Sequence, residues 1–341
     1  MNKKITSAIT LVALSAVLAF SAKSVSNTKH ITGDLKTGLG IITTVSDSKE
    51  ATSEADGSAS SEILVAAVTV NEDGVIANCY IDTLAPSITF DATGTITTDT
   101  SAEFVSKQVL GDSYGMAGPS SIQKDWHAQV DAFAHYCIGL TAEEVLGISM
   151  NEKGQAADKD LVAGCTMYIG NFQKVVAKAA MNASEEGADS NDLLGVNFVT
   201  SIANSTNATD TEDGLAQAYV TIAAVTLNEE KVITSAVLDA VQANVNFDAT
   251  GKITSDISAE VASKNELGYS YNMKGPSSIQ KEWFEQADAF AWHAQGKTIE
   301  EVNATPLTQG VPAKGTDLVA SVTIHVTDFI EALNKAVEIA E

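Results

Sequence analysis

The feature that most constrains this chain is a long internal repeat. Residues 36–184 align without a gap with residues 193–341, an offset of 157 positions. For example, Asp91-Ala-Thr-Gly94 returns as Asp248-Ala-Thr-Gly251. The repeats of solenoid proteins are about 20 to 50 residues long, so a period of this length indicates two copies of one domain. Residues 185–192, which are acidic and contain glycine, are predicted to form the linker between the copies.

The charge balance argues against two classes of partner. The chain has 20 Lys and Arg residues against 44 Asp and Glu residues, a formal net charge of −24 at pH 7. Nucleic acids and anionic lipid surfaces are recognised by clustered positive charge, so neither is an expected partner. Because 45% of the residues are hydrophobic and only 19% are charged, the chain is expected to fold.

The first 24 residues have the pattern of a secretory signal peptide. Lys3 and Lys4 precede an apolar run from Ile5 to Phe20, and small residues suited to cleavage follow. The run is shorter than the about 20 residues that span a bilayer, and no later segment reaches that length. The mature chain is therefore predicted to be exported, extracellular or in the cell envelope, without a transmembrane helix. No cysteine lies near the cleavage site, so a lipoprotein is not expected.

Each copy is predicted to be α+β, with a small, mostly antiparallel sheet and packed helices. The expected elements of the first copy are strands at 63–70, 75–81 and 161–169, a hairpin at 88–97, and helices at 101–110, 121–138 and 172–181. The second copy is expected to close with a strand at 319–326 and a helix at 329–339. These patterns predict two domains of the same α+β class, at 36–184 and 193–341.

Local signals predict several turns and helix starts. Gly74 suits a tight turn between the first two strands, whereas Lys231 at the aligned position predicts a different turn in the second copy. The polar stretch that begins at Asp91 is interpreted as a hairpin turn, because it lacks the alternating oxygen ligands of a calcium loop. Capping boxes are predicted at Thr141 with Glu144 and at Thr298 with Glu301.

The repeat also filters the candidate chemistry, because a residue that both copies need should occur in both. No histidine of either copy aligns with another histidine, so shared metal or triad chemistry based on histidine is not expected. The three cysteines, Cys79, Cys137 and Cys165, align with Ala236, Ala294 and Val322. They are interpreted as buried thiols, with a single disulfide among them as the alternative outside the cell.

One group of residues that passes this filter combines a glycine-rich turn, aromatic residues and a lysine at the predicted start of a helix. Its members are Tyr114, Met116, Gly118, Lys124 and Trp126, aligned with Tyr271, Met273, Gly275, Lys281 and Trp283. Such an arrangement could hold an anionic, planar ligand. The alternative is a tight turn into a helix whose tryptophan belongs to the core, and the sequence leaves both open.

The second group lies late in each copy and carries a resemblance to a known family. Asp160-Leu-Val-Ala-Gly-Cys-Thr166, followed by a predicted helix, resembles the closing motif of the FMN-binding domain family. That motif is Asp, two spacers, Ser or Thr, Gly, Ala, then Thr or Ser. The resemblance implies that FMN is attached through a phosphodiester to Thr166, with Asp160 and Gly164 as the matching acidic residue and glycine. Ala163 and Cys165 depart from the motif.

The second copy departs further from the family pattern. Thr323 is the implied acceptor there, but Ser321 replaces the glycine that would let the backbone approach a phosphate closely. The hairpin at 66–76 is also similar to the opening hairpin of the family. The resemblance thus covers most of each copy as a fold, whereas its specific motif is seven residues long.

The family includes flavin subunits of redox pumps and secreted electron-transfer proteins, so the resemblance implies a function as an extracellular electron carrier. A carrier is expected more than an enzyme. FMN would be the cofactor, and a redox partner or a flavin transferase would be the partner. Tyr114, Met116 and Trp126 would then pack on the flavin, and Lys124 would contact its phosphate or reduced ring. The alternative is a cofactor-free envelope protein, structural or ligand-binding, on the same fold.

Overall fold

A computed structural model describes residues 34–340 of the chain, so the predicted signal peptide lies outside the described residues. The strands are β1 (Leu35–Thr44), β2 (Gly57–Ser60), β3 (Glu62–Val70), β4 (Ile76–Leu84), β5 (Ser87–Phe90), β6 (Glu185–Ala188), β7 (Leu193–Ser201), β8 (Gly214–Leu227), β9 (Ile233–Phe247), β10 (Leu307–Thr308) and β11 (Val311–Pro312). The helices are α1 (Lys107–Leu110), α2 (Trp126–Cys137), α3 (Ala142–Leu146), α4 (Lys159–Val162), α5 (Gly170–Asn182), α6 (Lys264–Leu267), α7 (Trp283–Ala294), α8 (Ile299–Asn303) and α9 (Thr327–Ala340). The predicted α+β class is confirmed.

Two antiparallel sheets organise the fold. The first has the strand order β4-β3-β1-β6, and the second has the order β7-β8-β9. Helix α5 packs on β1 and β3, and α9 packs in the same way on β7 and β8. Helices α2 and α7 begin and end exactly one repeat apart, as do α3 and α8. The 157-residue offset of the sequence is therefore also the offset between these elements.

The central strands β3 and β8 are buried on both faces, which explains why they are almost continuously apolar. The side chains of β3 alternate between two cores: Ile63, Val65 and Ala67 join the core between the two sheets, and Leu64, Ala66 and Val68 join the core beneath the helices. A third core lies between the second sheet and its helices. The order of layers is thus helices, sheet, sheet, helices, with apolar side chains on both faces of the central strands.

The two halves of the chain share the central core through reciprocal contacts. The rings of Phe90 and Phe247, which are one repeat apart, stack at 4.1 Å between centroids. The Ala51 N–H donates to Gly251 O, and the Ala208 N–H donates to Gly94 O, both at 2.8 Å. Each half therefore covers the other, and neither sheet leaves its inner face exposed to water.

The segment predicted as a linker, 185–192, is built into the fold. Its first four residues form β6, which pairs with β1, the first strand of the first half. At its other end the buried Asp192 carboxylate accepts a hydrogen bond from the Thr234 hydroxyl at 2.5 Å. The pairing of β6 and the contact of Asp192 with β9 tie the segment to both sheets.

The hairpin turns are mostly as predicted, with one correction. Gly74 has φ +75°, and its N–H donates to Asn71 O at 3.0 Å. Lys231 has φ +59°, and its N–H donates to Asn228 O at the same distance, so the second turn does not differ and the prediction was wrong. The turn at Asp91 is a polar hairpin turn, whose carboxylate accepts the N–H of Thr93 and of Thr95.

The helix predictions were right where a local signal set the boundary. Both capping boxes are present, and α5 and α9 cover the predicted closing helices. The helix predicted at 101–110 is limited to α1, and the one predicted at 121–138 begins only at Trp126. Gln123, at φ +53°, interrupts the helical backbone, and the Asp125 carboxylate caps α2 through the Trp126 N–H.

The predicted closing strands were wrong. Residues 161–169 contain the end of α4 and an irregular segment, because Asp158 caps α4 by accepting the N–H of Asp160 and of Leu161. Residues 319–326 likewise follow a 3₁₀ helix at Asp317–Ala320. Between residues 34 and 340, the structure has no helix long and apolar enough to cross a membrane.

Candidate functional site

The threonine implied as a flavin acceptor lies in the irregular segment between α4 and α5. Thr166 is half-buried, and the buried side chains of Leu161 and Cys165 anchor the segment in the core beneath the helices. Asp160 is exposed in the first turn of α4. The acceptor position is therefore at the surface but is held from beneath by apolar side chains.

A buried glutamine fixes the position of Thr166. The Gln129 Oε1 atom accepts the Thr166 N–H at 2.9 Å and the Thr166 hydroxyl at 3.1 Å. Its Nε2 atom donates to Ser120 Oγ at 3.0 Å and to Lys124 O at 2.9 Å. Because Gln129 is only 1% exposed, these four hydrogen bonds are shielded from water, and the side chain has a single well-defined position.

The same clamp is present in the second half. The Gln286 Oε1 atom accepts the Thr323 N–H at 2.9 Å and its hydroxyl at 3.2 Å. Its Nε2 atom lies 3.4 Å from Ser277 Oγ and 3.2 Å from Lys281 O. We call each of these arrangements a glutamine clamp. The clamps show that the two groups singled out in the sequence, the glycine-rich turn and the late threonine, meet in space in each half.

The glycine-rich turn is also held by the acidic residue that immediately precedes the helix, α2 in the first half and α7 in the second. The Asp125 carboxylate accepts the N–H of Met116 at 3.2 Å and that of Ala117 at 3.1 Å. In the second half, Glu282 accepts the Met273 N–H at 2.7 Å. The half-buried methionines Met116 and Met273 are thus held by backbone contacts to the turn.

The glycines of the site differ in what surrounds them. A Cβ atom at Gly118 or Gly275 would meet no atom within 4 Å, so both face open space. A Cβ atom at Gly164 would lie 2.6 Å from the Ala132 Cβ atom on α2. Close packing of this segment against α2 is therefore sufficient to explain Gly164, without a ligand.

The tryptophans belong to the core, as one of the two sequence interpretations expected. Trp126 and Trp283 are each 4% exposed and pack edge-on against Phe172 and Phe329. A flavin ring could not stack on a tryptophan that is buried in this way. Tyr114 is 40% exposed, whereas Tyr271 is half-buried.

The lysine that contacts these aromatics is not the one the sequence analysis selected. The Lys107 ammonium lies 5.4 Å from the ring centroids of both Tyr114 and Trp126, and 3.1 Å from the Glu62 carboxylate. Lys124 is exposed, and Lys281 is half-buried. The alignment of Lys107 with Lys264 in the repeat was the available signal, and it was missed because neither lysine lies beside the glycine-rich turn.

In the second half the aligned lysine is enclosed. The Lys264 ammonium donates to Tyr219 Oη at 2.7 Å and lies 4.5 to 4.8 Å from the rings of Tyr219, Tyr271 and Trp283. Burial lowers the pKa of this ammonium to about 8, an effect that the charge of Asp239 opposes. Ring faces attract a cation, so this lysine stabilises the aromatic cluster from within. Its 4% exposure leaves no access for a ligand.

The chemistry of the site rests on hydroxyl and amide groups. In residues 34–340, no cluster of three or more His, Cys, Asp and Glu side chains is arranged to hold a metal ion. The three cysteines are thiols, and Cys137 and Cys165 are buried. Comparison of the chain with family models, curated proteins and solved structures finds no match.

Proposed function

We propose that the protein is an exported flavin carrier that holds FMN covalently through a phosphodiester on Thr166, with Thr323 as a second and weaker acceptor. The observation that carries this proposal is the glutamine clamp. In both halves it holds a half-buried threonine hydroxyl in a defined surface segment ahead of the closing helix. An acceptor hydroxyl needs this combination of fixed position and partial exposure.

The contacts of Thr166 are compatible with attachment. Its hydroxyl donates to Gln129 Oε1, and an ester at this oxygen would remove that one hydrogen bond. The Thr166 N–H would still donate to the same oxygen at 2.9 Å, and the Nε2 contacts of Gln129 would be unchanged. The segment would therefore keep its conformation after modification.

The role of the protein would be to bind and orient the cofactor. FMN, when bound, supplies one- and two-electron redox chemistry, so the chain needs no general acid or base of its own. Tyr168, which is 54% exposed and lies two residues after Thr166, provides an aromatic surface beside the acceptor. His325 stands at the aligned position of the second half. This difference favours Thr166 over Thr323.

The test is production of the exported chain in cells that contain an FMN-transferring enzyme. We expect absorption near ~450 nm that survives acid precipitation, and an added mass of one FMN on the peptide that contains Thr166. Thr166→Val should remove most of the label, Thr166→Ser should retain it, and Thr323→Val is the matched control with little effect. A colourless chain of unmodified mass, or a label on a peptide that lacks both threonines, would contradict the proposal.

The second candidate is a cofactor-free ligand-binding protein, and a groove between the halves favours it. The groove has a volume of about 540 Å³ and contains apolar side chains from both halves, including Phe104 and Phe198. Its charged lining residues are the acids Glu103, Asp328, Glu331 and Glu338 and the single lysine Lys335, which pairs with Glu331 at 2.9 Å, so the groove keeps an excess of negative charge. This function predicts that an apolar, basic peptide raises the melting temperature of the colourless chain. Absence of a shift, together with acid-stable colour, would exclude it.

A further inference from the structure

Two of the three thiols meet at the end of α2. Cys137 is the last residue of this helix, and Cys79, on β4, is a partly buried residue packed against the same core that contains Cys137. Two backbone hydrogen bonds join the start of β4 to the segment that follows α2. The Ile76 N–H donates to Leu140 O at 2.9 Å, and the Gly139 N–H donates to Ile76 O at 2.8 Å. Cys79 lies three residues after Ile76, and Cys137 lies three residues before Leu140.

The second half has the same backbone arrangement without the thiols. The Ile233 N–H donates to Lys297 O at 2.9 Å, and the Gly296 N–H donates to Ile233 O at 2.8 Å. The positions of Cys79 and Cys137 are occupied there by Ala236 and Ala294, both buried. The two cysteines are thus present together in the first half and are both replaced by alanine in the second.

The third cysteine has a different environment. Cys165 is fully buried in the core beneath the helices, and the aligned residue of the second half is Val322, which is also fully buried. An exchange between cysteine and valine at a buried position keeps a small apolar side chain. Cys165 is therefore accounted for by packing.

We propose that Cys79 and Cys137 form a disulfide when the chain folds in an oxidising environment, and that Cys165 remains a thiol. The oxidant is a small-molecule or protein disulfide. The Cys79 thiolate attacks one of its sulfur atoms and releases one thiol; the Cys137 thiolate then attacks the Cys79 sulfur of the mixed disulfide and releases the second thiol. The chain loses two protons and two electrons, and the oxidant is reduced to two thiols.

Burial in the folded chain sets the time at which these steps occur. Cys79 is half-buried and Cys137 is fully buried, so the folded chain gives an oxidant little access to either sulfur. The hydrogen bond with Cys137, together with burial, raises the pKa of the Cys79 thiol well above its usual value. Since the thiolate is the reactive form, the folded thiol pair oxidises slowly. We therefore expect the disulfide to form during folding.

The experiment is to refold the full reduced chain in a mixture of oxidised and reduced glutathione. The product is then denatured and alkylated with iodoacetamide without a reductant, and the labels are counted by intact mass. We expect one label on the refolded chain and three after reduction, because the chain has three cysteines. Peptide mapping should place the single label on Cys165.

Single variants sharpen this count. Cys79→Ala and Cys137→Ala introduce the residue that the second half already carries, and each should give two labels with or without reduction. Cys165→Val is the matched control and should give none before reduction. Three labels on the refolded wild-type chain, or a disulfide that includes Cys165, would overturn the proposal. This outcome is independent of flavin attachment, which is scored by colour and mass at a different peptide.

Discussion

Burial of an aspartate in β9 predicts a pH dependence of stability that one substitution should remove. Asp239 is 5% exposed, and its Oδ1 atom accepts the N–H of Ala240 at 2.7 Å and of Asn265 at 3.0 Å. Burial raises the pKa of this carboxyl to about 7, although these hydrogen bonds and one from Ser263 act in the opposite direction. The nearby Glu266 carboxylate raises the pKa further.

Because the pKa of Asp239 is raised on folding, the free energy of unfolding should fall as the pH rises. The native state binds the Asp239 proton more tightly than the unfolded state, whose aspartate has a pKa near 3.8. The resulting stabilisation is fully present below that value and is lost as the pH rises through the folded pKa of about 7. A difference of about 3 pKa units corresponds to a loss of about 4 kcal/mol in the free energy of unfolding. Asparagine keeps the Oδ1 acceptor and carries no charge at any pH.

The assay is urea unfolding of the wild-type chain and of Asp239→Asn at several pH values between about pH 5 and about pH 8. Tryptophan fluorescence monitors the unfolding. We expect the variant to be more stable by about 1.5 kcal/mol at about pH 5, where part of the stabilisation is already lost, and by up to about 4 kcal/mol at the basic end. Asp248→Asn is the control, because the hydrogen bonds that this partly exposed turn residue accepts from Thr250 and Lys252 lower its pKa. It should not gain stability at high pH. A difference between Asp239→Asn and wild type that is the same at both ends would refute the reasoning.

Two further predictions concern contacts on the helix-covered side of the first sheet. Gln129→Met should lower the free energy of unfolding by about 3 kcal/mol, because the Thr166 N–H and a buried carbonyl lose their partner; hydrogen exchange should show faster exchange of the Thr166 amide, and an unchanged rate would contradict the clamp. Gly38→Ala should cost at least about 2 kcal/mol, because its Cβ atom would overlap the backbone of α5. Gly74→Ala, with a positive φ but open space around it, should cost only about 1 kcal/mol in the same denaturation assay and serves as the comparison.

The elements predicted correctly are those whose signals are local. β3 and β4 follow from apolar runs on either side of a turn, and α3 begins at the capping box between Thr141 and Glu144. In these segments the residues that determine the structure lie within a few positions of one another. The apolar run of β3 also reflects its tertiary position, because a strand between two cores needs apolar side chains on both faces.

The failures come from partners that are distant in sequence or from competing local signals. The segment at 161–169 has the apolar content of a strand, but the Asp158 cap starts a helix, and Gln129 then fixes the segment from 37 positions away. The 185–192 segment has the composition of a linker, yet it pairs with β1, which lies far earlier in the chain. Composition reports exposure and flexibility but does not report which strand edge is available.

For the candidate site, the sequence singled out the turn and the threonines that meet in the structure, but not the glutamine that joins them. Gln129 was not selected, because a glutamine within a predicted amphipathic helix resembles an ordinary surface residue. Its alignment with Gln286, one repeat away, was a usable signal. Lys107 was not selected either, because it lies outside the glycine-rich turn in sequence, although the fold brings it to the rings of Tyr114 and Trp126. The contact with Glu62 on β3 brings Lys107 into the site.

The two halves share their architecture but differ in their reactive side chains, and the reactive side chains are found in the first half. Both keep the glutamine clamp and the lysine beneath its tryptophan, although the counter-charge Glu62 becomes Tyr219. Lys264 has no carboxylate in the place of Glu62 but still contacts three aromatic rings. We therefore assign the lysine at this position a structural role. By contrast, the thiol pair and the tyrosine that follows the acceptor are present only in the first half. Shared residues thus account for the architecture, and we expect the covalent chemistry to be concentrated in the first half.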